Sequence, residues 1–464
     1  MIHGILAILF VYIIKDLCVG IKVTHICGLE PSFINNTIYN ENFRRIFPHF
    51  CYDKQYVDGL MRKDFPILNQ NNKEFDEFIY FDNAASTHKP KSVINAISDF
   101  YSTYYSNINR SPDPSTRRAT LEYEKSREKV AKFINAEYVD EIIFTGGATN
   151  SINLVAKILR NKVLKEGDVI LLPISEHNSN IVPWQIVYKN LCEIKFIEIC
   201  DNGNINLEYL ETLFQNYNVK LLSIAHTSNV LGNIQPIKQI IEVAHKHNSL
   251  VLVDACQTLA HITVDVRDLD CDFLVGSSHK MYGPTGIGFL YGKRDILESL
   301  DPCEGGGGTI QDLTFDATAF LGLPYKFEPG TPPIAQAIGF GAALDFINKV
   351  TVEKIRAHER ELVKYLCEKL QRFTRIHGPN SNTLRAPIVS FSVDNINSFD
   401  LSCLLASRKI ALRSGKHCAH LIHEAHTKVD NTIRVSLAMY NNYKEVDIFI
   451  EEVISCMKLL KSGK

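Results

Sequence analysis

No CxxC pair occurs among the twelve cysteines, which stand at 18, 27, 51, 192, 200, 256, 271, 303, 367, 403, 418 and 456. That absence removes the ordinary signature of a zinc site or a redox dithiol, so no metal is expected. The spacings also do not suggest a disulfide framework in so long a chain. Long Lys/Arg blocks and aromatic-basic stripes are missing, and the net charge is only -2. Nothing therefore points to nucleic-acid binding. No GxGxxG follows a first strand, which leaves a nicotinamide dehydrogenase on a Rossmann sheet without its phosphate loop. Internal repeats and low-complexity tracts are absent. The N-terminal apolar run Ile5–Ile14 (ILAILFVYII) has ten residues, too short to span a bilayer comfortably. It fits the core of a signal peptide, although basic residues before it are lacking; a buried helix or strand is the alternative.

What is present is a chain of 464 residues, 45% hydrophobic, long enough for two to three folding units. Residues 1–55 read as a targeting leader and linker, with mixed composition from Cys18 to Lys54. Residues 56–345 read as a large domain and 346–464 as a smaller one, with 56–90 contributing to the smaller. A short helix is expected over Val57–Leu68, a strand at Ile79–Phe81, and helices around Val93–Tyr101 and over Leu121–Ile134. Strands at Glu141–Phe144, Val169–Leu172, Ile194–Ile199, Leu221–His226, Leu250–Asp254 and Phe273–Gly276 then alternate with helices at Thr149–Leu159, Ile181–Asn190, Leu207–Asn216 and Ile237–His247. Such alternation predicts an α/β fold with a mostly parallel sheet covered on both faces. Beyond a long helix at about Thr351–Phe373, strands Ile388–Val393 and Thr432–Leu437 and helices Phe399–Ser407 and Glu445–Leu460 form an α+β unit.

The most informative segment is Ser277 to Gly288. Lys280 follows a histidine and two hydroxyls and enters a Gly/Pro turn, a setting that suits an imine-forming lysine. Leu250–Asp254 is an apolar strand ending in a carboxylate. A lone Asp there is often a turn residue. Ligands in open parallel sheets, however, sit at the carboxyl ends of strands, so Asp254 and Lys280 should face one crevice. A lysine imine with an acidic partner for a pyridinium nitrogen is the pattern of pyridoxal 5'-phosphate (PLP). The turn Phe144–Asn150, with Gly146 and Gly147, leads from strand to helix and offers N–H groups to a phosphate. Thr149, Ser277 and His279 could add donors. His177 could stack on the cofactor ring, or merely cap a helix. Asn229 ends another strand and could reach ring or substrate.

Together these residues resemble the fold-type I PLP-dependent transferases and, within them, the SufS-like (group II) cysteine desulfurases. SEHNSNIVPW at 175–184, VDACQ at 253–257, SSHKMYGPTGIG at 277–288 and RSGKHCA at 413–419 carry the resemblance. EGGGGTI at 304–310, FEPGTP at 327–332 and RVSLAMYN at 434–441 extend it, from about Met61 to Leu460. The resemblance implies that Lys280 is the Schiff-base lysine, with Asp254 and Gln257 meeting the ring nitrogen and hydroxyl. His177 would be the stacking residue. Thr149, Ser277 and His279 would be phosphate ligands, and Thr331 a phosphate contact from the second subunit of a homodimer. Arg434, helped by Arg413, would hold the substrate carboxylate. Cys418 would be the nucleophile that becomes a persulfide, with Lys416 and His417 favouring its thiolate. The short segment Ala419–His426 fits the compact group II loop. Two positions depart from the pattern: Lys416 stands where a His is common, and Ala148 where many relatives have Thr.

The implied reaction converts L-cysteine to L-alanine and passes sulfur to an acceptor for iron–sulfur assembly. A SufE-like acceptor and a SufBCD scaffold are the implied partners. The alternatives are a selenocysteine lyase or another PLP enzyme of the fold, such as an epimerase or kynureninase relative, or a non-catalytic sulfur-transfer scaffold. An epimerase would not need Cys418. The leader suggests delivery to a plastid (apicoplast) through the secretory route, with the mitochondrion as alternative and no membrane attachment of the mature protein.

Overall fold

In the computed structural model the described residues are 59–70, 78–109, 111–160, 162–379 and 384–462. The expected leader, its apolar run and Val57 lie outside them. Among the described residues no helix is long and apolar enough to cross a membrane.

After β1 (Ile79–Tyr80), a seven-stranded sheet forms from β2 (Ile142–Thr145), β3 (Val169–Pro173), β4 (Glu193–Ile197), β5 (Val219–Ala225), β6 (Leu250–Asp254), β7 (Phe273–Ser277) and β8 (Gly288–Gly292). Their order is β2-β8-β7-β6-β5-β3-β4. Only β8 runs against its neighbours, so the sheet is mostly parallel, as the alternation predicts. The strands β3, β6, β7 and β8 are buried almost throughout. That explains their continuous apolar runs, as expected of a sheet covered on both faces. Gly288 is required by packing: a Cβ there would lie 2.4 Å from the Gly276 carbonyl oxygen and 2.7 Å from Gly147 Cα. The turn that begins the helix Ala148–Leu159 is thus pressed against the ends of β7 and β8.

A small hairpin, β9 (Ile310–Leu313) and β10 (Thr318–Phe320), follows. The C-terminal unit holds β11 (Arg375–His377), β12 (Ile388–Ser392), β13 (Ile410–Ala411), β14 (Arg413–Gly415) and β15 (Thr432–Ser436). Its antiparallel sheet has the order β11-β12-β15-β14. β1 pairs with β13, and Ile79 and Phe81 belong to the same apolar core as Leu366, Val389, Val435 and Phe449. The early strand is therefore built into the C-terminal unit.

Several expectations need correction. The segment expected as a helix over Val57–Leu68 is two single 3-10 turns, Arg62–Asp64 and Pro66–Asn69, because Pro66 interrupts the ladder. The helix expected from Leu121 starts at Pro114, where Asp113 accepts hydrogen bonds from the N–H groups of Ser115 and Thr116; the Asp-Pro pair was the start signal. The helix expected over Ile181–Asn190 is shorter, Val182–Tyr188. The helix Ile334–Val350 was not anticipated. It packs against the helices Lys91–Thr103 and Pro114–Phe133, is buried on nearly all sides, and so has no amphipathic period to read.

Candidate functional site

The carboxyl ends of β5, β6 and β7 and the turn after β2 converge on a cavity of about 190 Å³. Its walls include twelve residues singled out from the sequence: Ala148, Thr149, His177, Asn229, Asp254, Gln257, Ser277, His279, Lys280, Arg413, His417 and Arg434. Cys418 is beside this cavity rather than in its lining. Thr331 is apart from it and lines two other cavities, one of about 720 Å³ with Tyr123, Gly308 and Glu328. That larger cavity contains neither an amine nor a thiol, so size alone would choose the wrong site.

Asp254 is the last residue of β6, and its Oδ1 accepts from the Cys256 N–H at 2.9 Å. Lys280 lies one 3-10 turn beyond β7. The helix Ala148–Leu159 begins at Gly147 with no side-chain cap. The Ala148 N–H donates to Ser277 Oγ at 2.9 Å, and Thr149 Oγ1 lies 2.8 Å from Ser179 Oγ. The remaining first-turn N–H groups have no partner within the helix, a chemistry that fits a phosphate. An amine, a carboxylate and an uncapped helix start within one cavity suit pyridoxal phosphate.

His177 does both things the sequence allows. It caps the turn Asn178–Asn180, its Nδ1 accepting from the Ser179 N–H at 3.1 Å, and its ring lies on the cavity wall. Burial, then the Lys280 ammonium, pushes its pKa down to about 4, so at neutral pH the proton sits on Nε2. His279 is likewise held to about 4 by burial, Lys280 and Lys89. Gln257 Nε2 donates to the Ala84 carbonyl at 2.8 Å.

Asn229 lies on the cavity wall, at the position from which ring or substrate could be reached. Its side-chain amide donates to the His417 carbonyl at 2.8 Å, which ties the cysteine loop to the end of the sheet. Arg434 is 1% exposed. Its Nη2 pairs with Asp82 Oδ1 at 3.1 Å, its Nη1 donates to the Asn229 carbonyl at 3.1 Å, and its Nε has no partner among the described residues. Arg413 stands opposite Arg434 in the β14–β15 register. Like charges facing each other across a ladder repel; a carboxylate ligand would relieve that repulsion.

The Cys418 backbone is left-handed, φ 56°, as is His417, φ 50°. The Cys418 carbonyl accepts from the Asn178 N–H at 2.7 Å. The cation touching its sulfur is Arg413, with Nη2 3.4 Å from Sγ. This corrects the expected role of His417. That ring is buried, its Nε2 lies 2.9 Å from Thr432 Oγ1, and burial together with Arg434 keeps it well below the usual imidazole range. It supplies no positive charge to the thiol. Cys256 also lines the cavity, but burial pushes its thiol far up, which makes it a packing residue.

The segment Asp82–Lys89 went unnoticed in the sequence. It bonds to Arg434 through Asp82, to Ser436 through Asn83 and the Ala84 N–H, to Gln257 through the Ala84 carbonyl, and to His279 through Ser86, Thr87 and Lys89. Ala84 and Ala85 line the cavity. The only sequence signal was a turn after a short strand.

Residues 79–449 match the family described as aminotransferase class-V. The chain is 41% identical over 399 residues to a probable cysteine desulfurase of Synechocystis sp., covering 85% of this chain and 94% of that protein. It is 37% identical to a cysteine desulfurase of Haloferax volcanii, covering 87% and 97%. Among solved structures it is similar to an apo cysteine desulfurase from Thermococcus onnurineus (TM-score 0.81, 35% identity, 86% of this chain and 97% of that one). It is also similar to the Escherichia coli cysteine desulfurase CsdA in an S-sulfonic acid form (TM-score 0.79, 33% identity, 86% and 98%).

Proposed function

The chain belongs to the class-V aminotransferase family and is a PLP-dependent enzyme of the cysteine desulfurase group, and from that premise we propose that Cys418 takes the sulfur of L-cysteine as a persulfide while L-alanine is released. The observation that carries this reading is the placement of one thiol, Cys418, against Arg413 beside a cavity holding Lys280 and Asp254.

Pyridoxal phosphate, when bound, withdraws electrons from the substrate and weakens the bond from Cβ to sulfur. Lys280 Nζ would anchor the aldehyde and, once free, hold the proton taken from the substrate Cα. Asp254 would keep the ring nitrogen protonated, and His177 would cover the ring face. Ser277, His279, Thr149 and the N–H groups of Thr149 and Asn150 would hold the phosphate. Arg434 and Arg413 would orient the carboxylate with guanidinium forks. The Cys418 thiolate then attacks the substrate sulfur: the Cβ–S bond breaks, an S–S bond forms, and a proton on the former Cβ completes alanine.

We further propose the SufS subtype, supported by the compact turns that follow Cys418, His420–Ile422 and His423–Thr427. Delivery to a SufE-like acceptor and a SufBCD scaffold belongs to that proposal. So does a homodimer, supported by Thr331: within one chain it lies away from the lysine-centred cavity, so a second chain would have to bring it to the phosphate. Location in a plastid rests on the leader alone. Fusing residues 1–60 to a fluorescent reporter tests it, and cytosolic fluorescence would reject it.

The decisive experiment is Cys418→Ser with cysteine and a reductant. The variant should stay yellow and release no sulfide; turnover at the unmodified rate would overturn the assignment. Running the unmodified enzyme with and without a SufE-like protein tests the acceptor, which should raise the rate.

A further inference from the structure

The carbonyl oxygen of His279, the residue directly before Lys280, accepts four hydrogen bonds. They come from the Thr87 N–H at 3.0 Å, Thr87 Oγ1 at 3.1 Å, Ser86 Oγ at 3.2 Å and Lys89 Nζ at 3.0 Å. A carbonyl has two lone pairs and is satisfied by one or two donors. All four donors come from one stretch of four residues. Lys89 is the only charged one, and a charge-assisted bond is roughly twice as strong as a neutral one. Its other acceptor is the Thr87 carbonyl. Removing an ammonium from water is costly, and here that cost goes into holding main-chain oxygens. Thr87 Oγ1 also accepts from the Tyr282 N–H at 2.8 Å, so the same stretch grips the turn on both sides of Lys280. The cavity wall at this point is formed by His279 and Lys280 themselves.

We propose that Lys89 is a positioning residue for Lys280: its ammonium fixes the His279–Lys280 peptide, and so fixes the origin from which the cofactor-binding amine reaches into the cavity. At the phosphate end of the site Ala148–Asn150 and Ser277 are built from other elements, and only His279 belongs to the peptide that Lys89 holds. Loss of Lys89 should therefore impair bond formation to Lys280 more than it impairs non-covalent cofactor binding. The proposal rests on Lys280 as the cofactor lysine.

Two ligands separate these effects in the full-length protein stripped of cofactor. Pyridoxal 5'-phosphate carries the aldehyde and reports bonding to Lys280 by its yellow colour. Pyridoxine 5'-phosphate lacks the aldehyde and reports the pocket alone. Lys89→Met is expected to colour about tenfold more slowly, as a slightly misplaced reacting group does, with a smaller loss of affinity for pyridoxine phosphate. Lys89→Arg should recover most of the rate. Thr87→Val removes a neutral donor from the same oxygen and should slow colouring less; it carries the test if Lys89→Met does not fold. Colouring of Lys89→Met at the unmodified rate, or an equal loss for both ligands, would overturn the role of Lys89. Persistence of colour in Lys280→Ala would overturn the lysine assignment, and the role of Lys89 with it.

Discussion

Arg413 Nη2 stands 3.4 Å from the sulfur of Cys418, five residues further along the chain. The strand β14 ends between them, and the backbone turns through Gly415 (φ 119°), His417 and Cys418, all at positive φ. The contact therefore depends on the turn, and it gives Arg413 two functions: the second guanidinium of the carboxylate site and the cation next to the nucleophile.

Arg413→Gln should retain the cofactor colour and slow persulfide formation on Cys418 by about tenfold, the rate equivalent of one charge-assisted contact of roughly 1.5 kcal/mol. Single-turnover alanine release is the measurement. Arg413→Lys should recover only part of the loss, since an ammonium cannot serve sulfur and carboxylate as a planar fork does. An unchanged single-turnover rate in Arg413→Gln would mean the contact has no part in the transfer step.

The Asp82–Arg434 pair makes a different prediction. Arg434 is almost fully buried, while Asp82 retains some exposure. Asp82→Asn leaves a buried guanidinium without its carboxylate. Breaking a fully buried pair costs about 3–5 kcal/mol; with one partner partly hydrated, about 2 kcal/mol is expected. Urea unfolding of the two proteins measures it. The same variant should bind a cysteine analogue through its carboxylate at least as tightly, because Asp82 competes for that guanidinium. Weakened binding with unchanged stability would show the reverse arrangement.

The pH dependence of stability has two opposing parts. Burial, joined at His177 and His279 by the Lys280 charge, lowers His177, His226 and His279 from 6.5 to about 4. Between those values the unfolded chain binds protons that the folded chain refuses, so stability is lost as pH falls from 6.5 towards 4. Glu176 goes the other way. Burial raises it from 4.5 to about 8, although the Ala225 N–H and Asn180 amide donate to it. In that window the folded state holds the extra proton, so stability declines as pH rises from 4.5 to 8. Glu176→Gln should be less stable than the unmodified protein at pH 5, by about 1 kcal/mol for one imperfect hydrogen bond. The gap should close and then reverse in favour of Glu176→Gln as pH rises towards 8, because the unmodified protein loses about 1.4 kcal/mol per pH unit within the window. A gap independent of pH would show that Glu176 does not titrate in this range.

Much of this site was legible because parallel strands advertise themselves. Val169–Leu172, Leu250–Asp254 and Phe273–Gly276 are apolar runs that end in turn or polar residues, and His177, Asp254 and Lys280 stand at or just after such an end. Lys280, Asp254 and His177 were therefore readable by position as well as by resemblance. Asp82, Ser86, Thr87 and Lys89 were not, because their partners are nearly 200 to about 350 residues away in sequence and no local pattern records such contacts. The strand β8 (Gly288–Gly292) was not read at all, for a related reason: a five-residue buried strand has no period to recognise. His417 was misjudged because adjacency in sequence was read as adjacency of charge, whereas a left-handed backbone turned its ring to Thr432.

That ring belongs to a chain of hydrogen bonds whose direction can be worked out. His423 Nδ1 lies 2.9 Å from the Ala419 carbonyl, which only accepts, so Nδ1 carries the proton. In a neutral ring His423 Nε2 then accepts from Thr432 Oγ1 at 3.1 Å, and that single hydroxyl proton is used. Thr432 Oγ1 must therefore accept from His417 Nε2, leaving His417 Nδ1 as a buried acceptor without a partner among the described residues. Burial lowers both histidines, consistent with neutral rings. The relay pins the residue before Cys418 in a left-handed backbone that costs on the order of 1 kcal/mol per residue. Thr432→Val strands two ring nitrogens and should cost about 2 kcal/mol of stability. It should also lower kcat while leaving KM for cysteine and the cofactor colour unchanged, because it frees the cysteine loop without touching Arg434 or Lys280. Thr432→Ser restores the hydroxyl and should restore kcat. Nitrogen NMR of labelled histidines should find His417 protonated on Nε2 and His423 on Nδ1; the opposite tautomer at His417 would break the relay at its first link.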